Sequence, residues 1–152
     1  MKNLAIITFV LFLSHCGYSS VYKDQKLLNF QLDIIETKGD YEMNNLITNQ
    51  IKLYSSNDSQ NIYDLTIDTD YEKEVLAKNS SGVITDYDLS VTAVFTVNLK
   101  NKIKTFEFNE KINIKNQTDT FEQNIYEKNI KRNFASSIRE KLIFAILNTN
   151  DS

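Results

Sequence analysis

Four stretches of the chain alternate apolar and polar residues, a period of two that is typical of strands with one buried face. The clearest covers residues 87–99, where seven consecutive odd positions are apolar and only Val94 interrupts the polar positions between them. The others cover residues 27–36, 63–71 and 103–114. A polar segment at residues 78–82 predicts a hairpin turn, because its Gly82 adopts positive φ at little cost.

Two further stretches have the three- and four-residue spacing of amphipathic helices. The first covers residues 41–54, and Asp40 is placed to cap it by accepting a hydrogen bond from a free backbone N–H. The second follows the cap candidates Thr118 and Asp119 and is predicted to run for about seven turns. The predicted apolar sides consist of Met43, Leu46, Ile47, Gln50, Leu53 and Tyr54 in the first helix, and of Phe121, Ile125, Ile130, Phe134, Ile138, Leu142, Ala145 and Ile146 in the second. The predicted polar side of the second helix carries Lys128, Lys131, Arg132, Arg139 and Lys141.

The order of elements is therefore β-α-β-β-β-α, without repeats or a linker. This order is typical of an α+β fold, in which helices cover one face of a sheet. We expect a mostly antiparallel four-stranded sheet with two helices packed on one face, forming a single domain over residues 27–148. Residues 149–152 are expected to form an unstructured tail.

The start of the chain has a different pattern. A single cation, Lys2, precedes an apolar run at residues 4–13 that is too short to cross a bilayer, which takes about 20 residues. A charged start and a short apolar core are typical of a secretory signal. The run leads to Cys16, the only cysteine of the chain.

The residues around Cys16 resemble a bacterial lipobox, in which the cysteine is acylated and becomes the first mature residue. Leu13 and Ser14 fit that pattern, whereas His15 is larger than the residue it favours. We expect residues 1–15 to be a lipoprotein signal peptide and residues 16–26 to be an acylated tether. The alternative is an ordinary signal peptide or a buried N-terminal helix.

Composition narrows the possible functions. The chain has a net charge of −3 and no basic block, whereas nucleic-acid binding depends on neutralising phosphates. Beyond the predicted signal peptide the sequence has no histidine and no thiol other than Cys16, which disfavours an enzyme. We predict no catalytic residue, no cofactor and no metal. The second strand carries a polar side of Asp64, Asp68, Asp70 and Glu72, for which a solvated face is a simpler interpretation than a calcium site.

Three separate stretches carry a family resemblance. Residues 16–18 read Cys-Gly-Tyr, residues 87–95 read Tyr-x-Leu followed by Val91, Val94 and Phe95, and residues 133–142 end in Ala-x-x-Ile-x-x-x-Leu. In this order and spacing they resemble the LptE family, the lipopolysaccharide-assembly lipoproteins of Gram-negative outer membranes. The sequence departs from the family at Ser20, where many relatives have proline.

The resemblance implies a binding function at the outer membrane. Proteins of the LptE family plug the barrel of LptD and assist delivery of lipopolysaccharide to the outer leaflet, and no reaction is known for them. For this chain, the implied partners are an LptD barrel, lipopolysaccharide and, through the lipid on Cys16, the outer membrane. Independently of the family, Lys73 and Lys78 lie beside the tip of the predicted hairpin and are candidate phosphate ligands, with solvated surface lysines as the alternative.

Two other classes of function stay open at this stage. A pilotin or a small-lipid carrier would also be a periplasmic lipoprotein, and the carrier would need an apolar cavity between sheet and helices. A hydrolase that uses carboxylates would need a cleft with two converging acids, and the sequence indicates no such pair.

Overall fold

A computed structural model describes residues 30–53, 59, 61–99 and 102–150 of the chain. Cys16 and the rest of residues 1–29 lie outside the described residues. The predicted order of elements is confirmed. The elements are β1 (Phe30–Gly39), α1 (Tyr41–Lys52), β2 (Asn61–Lys78), β3 (Ile84–Leu99), β4 (Lys102–Lys115) and α2 (Thr120–Asn150).

The four strands form one sheet in sequence order, β1-β2-β3-β4. Strands β2, β3 and β4 are antiparallel neighbours, as expected. The β1–β2 pair is parallel, because α1 carries the chain back across the sheet between them, and the sheet is therefore mixed. A bulge in β1 separates Ile34 from Glu36, and the remaining register brings Gly39 beside Thr69.

The core lies between one face of the sheet and the two helices. The apolar odd positions of β3 are buried from Leu89 to Leu99, which confirms the face predicted for this strand. Phe95 is completely buried, and its ring lies 6.0 Å from that of Phe108 on β4. The same face of β2 contributes Tyr63, Leu65 and Ile67. The opposite face of the sheet has no helix among the described residues.

Helix α1 begins where the sequence predicts. The Asp40 carboxylate accepts a hydrogen bond from the backbone N–H of Met43 at 2.7 Å, the expected cap. The buried apolar side chains are Met43, Ile47 and Ile51, at strict four-residue spacing. The placement of Leu53 on the apolar side was wrong, since this residue follows the last turn and is 67% exposed.

Helix α2 is longer than predicted. Its start is capped by Asp119, whose carboxylate accepts from the backbone N–H groups of Phe121 and Glu122. Its end lies at Asn150, so the expected unstructured tail from residue 149 is wrong for its first two residues. At 31 residues the helix is about 46 Å long. Among the described residues, no helix is apolar enough over a sufficient length to span a bilayer.

The inward side of α2 differs from the prediction at two places. Phe121 and Ile125 are exposed, because the first two turns direct Gln123 and Glu127 inward instead. The inward series then continues through Ile130, Phe134, Ile138, Leu142 and Ile146. Arg139, predicted on the polar side, is 6% exposed, with its guanidinium 3.2 Å from both Ser136 and Glu140.

Candidate functional site

The hairpin that joins β2 to β3 is a well-ordered turn. The Asn79 side-chain oxygen accepts hydrogen bonds from the backbone N–H groups of Ser81 and Val83, both at 3.0 Å. Gly82 has a φ of +79°, the left-handed conformation for which glycine was expected here. The turn therefore projects from the sheet in a fixed shape.

Lys78 lies at the base of this turn, opposite Ile84. Its side chain is exposed and makes no ion pair with any other described residue. Three apolar side chains around it, Val75, Leu76 and Val83, are about half exposed. The end of the hairpin thus presents one unpaired cation together with apolar surface.

Lys73 has a different environment. Its ammonium donates to the carboxylate of Glu127 on α2 at 2.6 Å and lies 4.4 Å from the centre of the Tyr87 ring. The structure therefore does not bring the two predicted lysines together. Among the described residues, Lys78 has no ion-pair partner, whereas Lys73 pairs with Glu127 between sheet and helix.

Glu127 is also bonded to Tyr71, whose hydroxyl donates to its other oxygen at 3.0 Å. Burial by itself disfavours the carboxylate, but the hydrogen bonds from Lys73 and Tyr71 outweigh it and hold the pKa of Glu127 below its usual range. Burial, reinforced by the bond to Glu127, raises the pKa of the Tyr71 hydroxyl. Both groups are thereby kept in their neutral-pH forms, a carboxylate and a phenol.

The network reaches α1 through Lys131. Its ammonium lies 4.0 Å from the centre of the Tyr71 ring and 2.6 Å from the Glu42 carboxylate. A surface depression of 330 Å³ lies beside it, lined by Glu42, Asn124, Glu127, Lys128 and Lys131. This lining is charged, and it lacks the apolar walls that a lipid carrier needs.

The sequence reasoning missed Glu127, although a signal for it exists. Extending the inward series of α2 backward from Phe134 and Ile130 in steps of three and four leads directly to Glu127 and Gln123. The prediction placed the apolar side wrongly over the first two turns because Phe121 and Ile125 are apolar, although both are exposed. Cys16, the predicted site of acylation, lies outside the described residues.

The carboxylates of β2 do not converge on a metal site. Within the described ranges, no three histidine, cysteine, aspartate or glutamate side chains come close enough together to hold an ion. The acids occupy the outward positions of the strand from Asp64 to Glu74, with Thr66 as the exception, on the uncovered face of the sheet.

The fold is that of a class of small bacterial lipoproteins, the LptE-like fold. Rare lipoprotein B from Shewanella oneidensis superposes with a TM-score of 0.55 at 16% identity, covering 78% of this chain and 99% of the other. A candidate lipoprotein from Caulobacter crescentus gives a TM-score of 0.53 at 9% identity, covering 82% and 93%. No family model matches the sequence, and no curated protein matches it. At these identities the likeness establishes the fold.

Proposed function

We propose that this chain is an outer-membrane lipoprotein, anchored through Cys16, that plugs and supports an LptD barrel and assists delivery of lipopolysaccharide to the outer leaflet. It acts by binding, without catalysing a reaction. The proposal rests on the LptE-like fold together with the three sequence stretches that resemble that family.

The observation that carries the proposal is the end of the β2–β3 hairpin. Lipopolysaccharide combines phosphates with acyl chains, and an exposed lysine beside apolar side chains is suited to both. Lys78 supplies the free cation, and Val75, Leu76 and Val83 supply the apolar surface. The turn beyond them is fixed by the hydrogen bonds of Asn79, so it can enter a water-filled lumen without first becoming ordered.

The structure changes the role proposed for Lys73. Because its ammonium is paired with Glu127, we assign it to holding α2 on the sheet, and we assign phosphate contact to Lys78. Reversing the charge of both lysines together would confuse the two roles, since Lys73→Glu would face the Glu127 carboxylate.

Lys78→Glu is therefore the test variant, and Lys102→Glu, an exposed lysine at the opposite end of the sheet, is its matched control. We expect Lys78→Glu to increase outer-membrane permeability in cells, with an unchanged melting temperature, and the control to have no effect. A photo-crosslinker at Asn79 or Ser80 should capture LptD or lipopolysaccharide. Crosslinks to unrelated periplasmic proteins only, with normal permeability after deletion of the gene, would refute the proposal and favour the pilotin or carrier.

A further inference from the structure

The uncovered face of the sheet concentrates the negative charge of the protein. The strand registers place ten carboxylates on it against four lysines, whereas the whole chain has 20 acidic and 17 basic residues. Half of all acidic residues thus share one face with fewer than a quarter of the cations. The acids are Asp33, Glu36, Asp64, Asp68, Asp70, Glu72, Glu74, Asp86, Asp88 and Glu107, and the lysines are Lys38, Lys78, Lys111 and Lys115.

This arrangement is unfavourable for the isolated domain. Neighbouring outward residues of one strand lie about 7 Å apart, which is within the screening length of about 8 Å at physiological salt. Glu74 also lies directly opposite Asp88 across the β2–β3 pair, a position at which like charges destabilise a sheet. Strand formation does not require these charges, because the same face of β3 is built largely from Ser90, Thr92 and Thr96.

Asp88, on the same face, is a buried carboxylate with only one of its two oxygens paired among the described residues. Its side chain is 10% exposed, and one of its oxygens pairs with Lys111 at 2.5 Å. The other oxygen, Oδ1, is buried and has no hydrogen-bond partner among the described residues. The hydrogen bond to Asp88 raises the pKa of Lys111, so this cation is already committed. Lys38 is paired with Glu36 at 3.3 Å, and the face keeps an excess of acids over cations.

We propose that this acidic face, the outward side of β1–β4, docks on a cationic protein surface. The inference rests on the proposed function, and the surface it then specifies is a lysine- and arginine-rich part of the inner wall of the barrel. A cationic wall would be complementary in charge to this face, so docking would relieve the repulsion within the face, and the opposite charges would steer association. The same charge repels phosphates from the acidic part of the face, which leaves phosphate contact to Lys78 at the hairpin end of the sheet.

The test uses the tagged full-length chain, expressed in its own cells and captured from detergent-solubilised membranes at low and at high salt. The face variant is Asp64→Asn/Asp68→Asn/Asp70→Asn/Glu72→Gln, which keeps the shapes of exposed or partly exposed side chains. The matched control is Glu122→Lys/Glu140→Lys on α2, which changes the net charge by the same amount away from the face. The amount of LptD barrel recovered is measured for each form, and thermal melts verify that both variants are folded.

We expect the unaltered chain and the control to recover similar amounts of the barrel. The face variant should recover less, by a factor of about ten or more. Recovery by the unaltered chain should also fall at high salt. Equal recovery by all three forms would overturn this inference while leaving the proposed function in place. Failure of the unaltered chain to recover any barrel would overturn both. Equal losses in the face variant and the control would show a general effect of net charge and would also overturn the docking face.

Discussion

The ammonium of Lys73 donates to the carboxylate of Glu127 at 2.6 Å and joins two residues that lie 54 positions apart in the sequence. The contact connects the distal half of β2 to the second turn of α2, where the apolar core ends. Tyr71 shares the same carboxylate, so one glutamate holds two positions of the strand. The N-terminal end of α2 is thus held on the sheet by a polar network, whereas the rest of the helix is held by apolar packing.

Glu127→Gln should lower the free energy of unfolding by about 1–2 kcal/mol at neutral pH, because hydrogen bonds to charged groups are the stronger ones. The pKa of Glu127 is lowered in the folded state from an ordinary value of 4.5. Its contribution is therefore present above pH 4.5 and is lost as the pH falls through the folded-state pKa. Urea titrations of both proteins from neutral pH to below that value should show the difference shrinking with acid.

The matched control is Glu122→Gln, an exposed glutamate five residues earlier in the same helix. It should change stability by only about 0.5 kcal/mol, the scale of a charge near a helix start. A constant difference between the Glu127→Gln protein and the parent across the acid range would contradict the assigned role of the carboxylate.

Substitution by alanine should destabilise the fold to different extents at the two glycines with positive φ, Gly39 and Gly82. Gly39 has a φ of +82°, and a Cβ built on it would lie 1.8 Å from the backbone oxygen of Thr69. Gly82 has a φ of +79°, and a Cβ there would meet nothing within 4 Å. Gly39→Ala should cost about 2–4 kcal/mol, since a rigid backbone clash is added to the strain.

Gly82→Ala is the control for that strain alone and should cost about 1–2 kcal/mol. Chemical denaturation of both variants measures the difference. Equal destabilisation by the two substitutions would show that the backbones of β1 and β2 can move apart at the Gly39–Thr69 contact without a further loss of stability. Beside this contact the Thr69 hydroxyl, which has one hydrogen to donate, lies 3.2 Å from the Asp40 carbonyl oxygen and 3.1 Å from the Asn44 side-chain oxygen.

The buried side of β3 is the part of the fold that the sequence predicts best. Phe95 is completely buried among residues from both helices and the sheet. Phe95→Ala should cost about 3–5 kcal/mol, enough to unfold a large fraction of a marginally stable domain. The adjacent Val94→Ala, on the opposite face, should cost about 1 kcal/mol. Similar melting temperatures for the two variants would show that the faces had been assigned wrongly.

Strands were predictable here because a period of two leaves only two faces to choose between, and the choice is repeated along thirteen residues of β3. The alternation does not reveal that β1 pairs with β2 in parallel, since it serves either direction. The signal for that pairing was the helix predicted between the two strands, because a helical crossover usually joins parallel neighbours. The predicted apolar side of α2 was wrong where Gln123 and Glu127 turn inward. The partners of Glu127 lie on the distant strand β2, whereas Gln123 accepts from the backbone N–H of Gln117 just before the helix. The free state of Lys78 and the paired state of Lys73 likewise depend on where α2 crosses the sheet.

The lipid anchor is a prediction from sequence alone, and it decides where the proposed function takes place. If the lipobox is processed, the mature chain begins at Cys16 and carries a diacylglyceryl group on its sulfur. Intact-mass analysis of the protein extracted from membranes should give the mass of residues 16–152 plus that lipid. Cys16→Ser should remain at the mass of the unprocessed precursor, because the thiol that accepts the lipid is gone. His15→Gly provides a second comparison, since a smaller residue before the cysteine should increase the processed fraction. A mature chain that begins elsewhere, or one without added lipid mass, would remove the membrane anchor from the proposal.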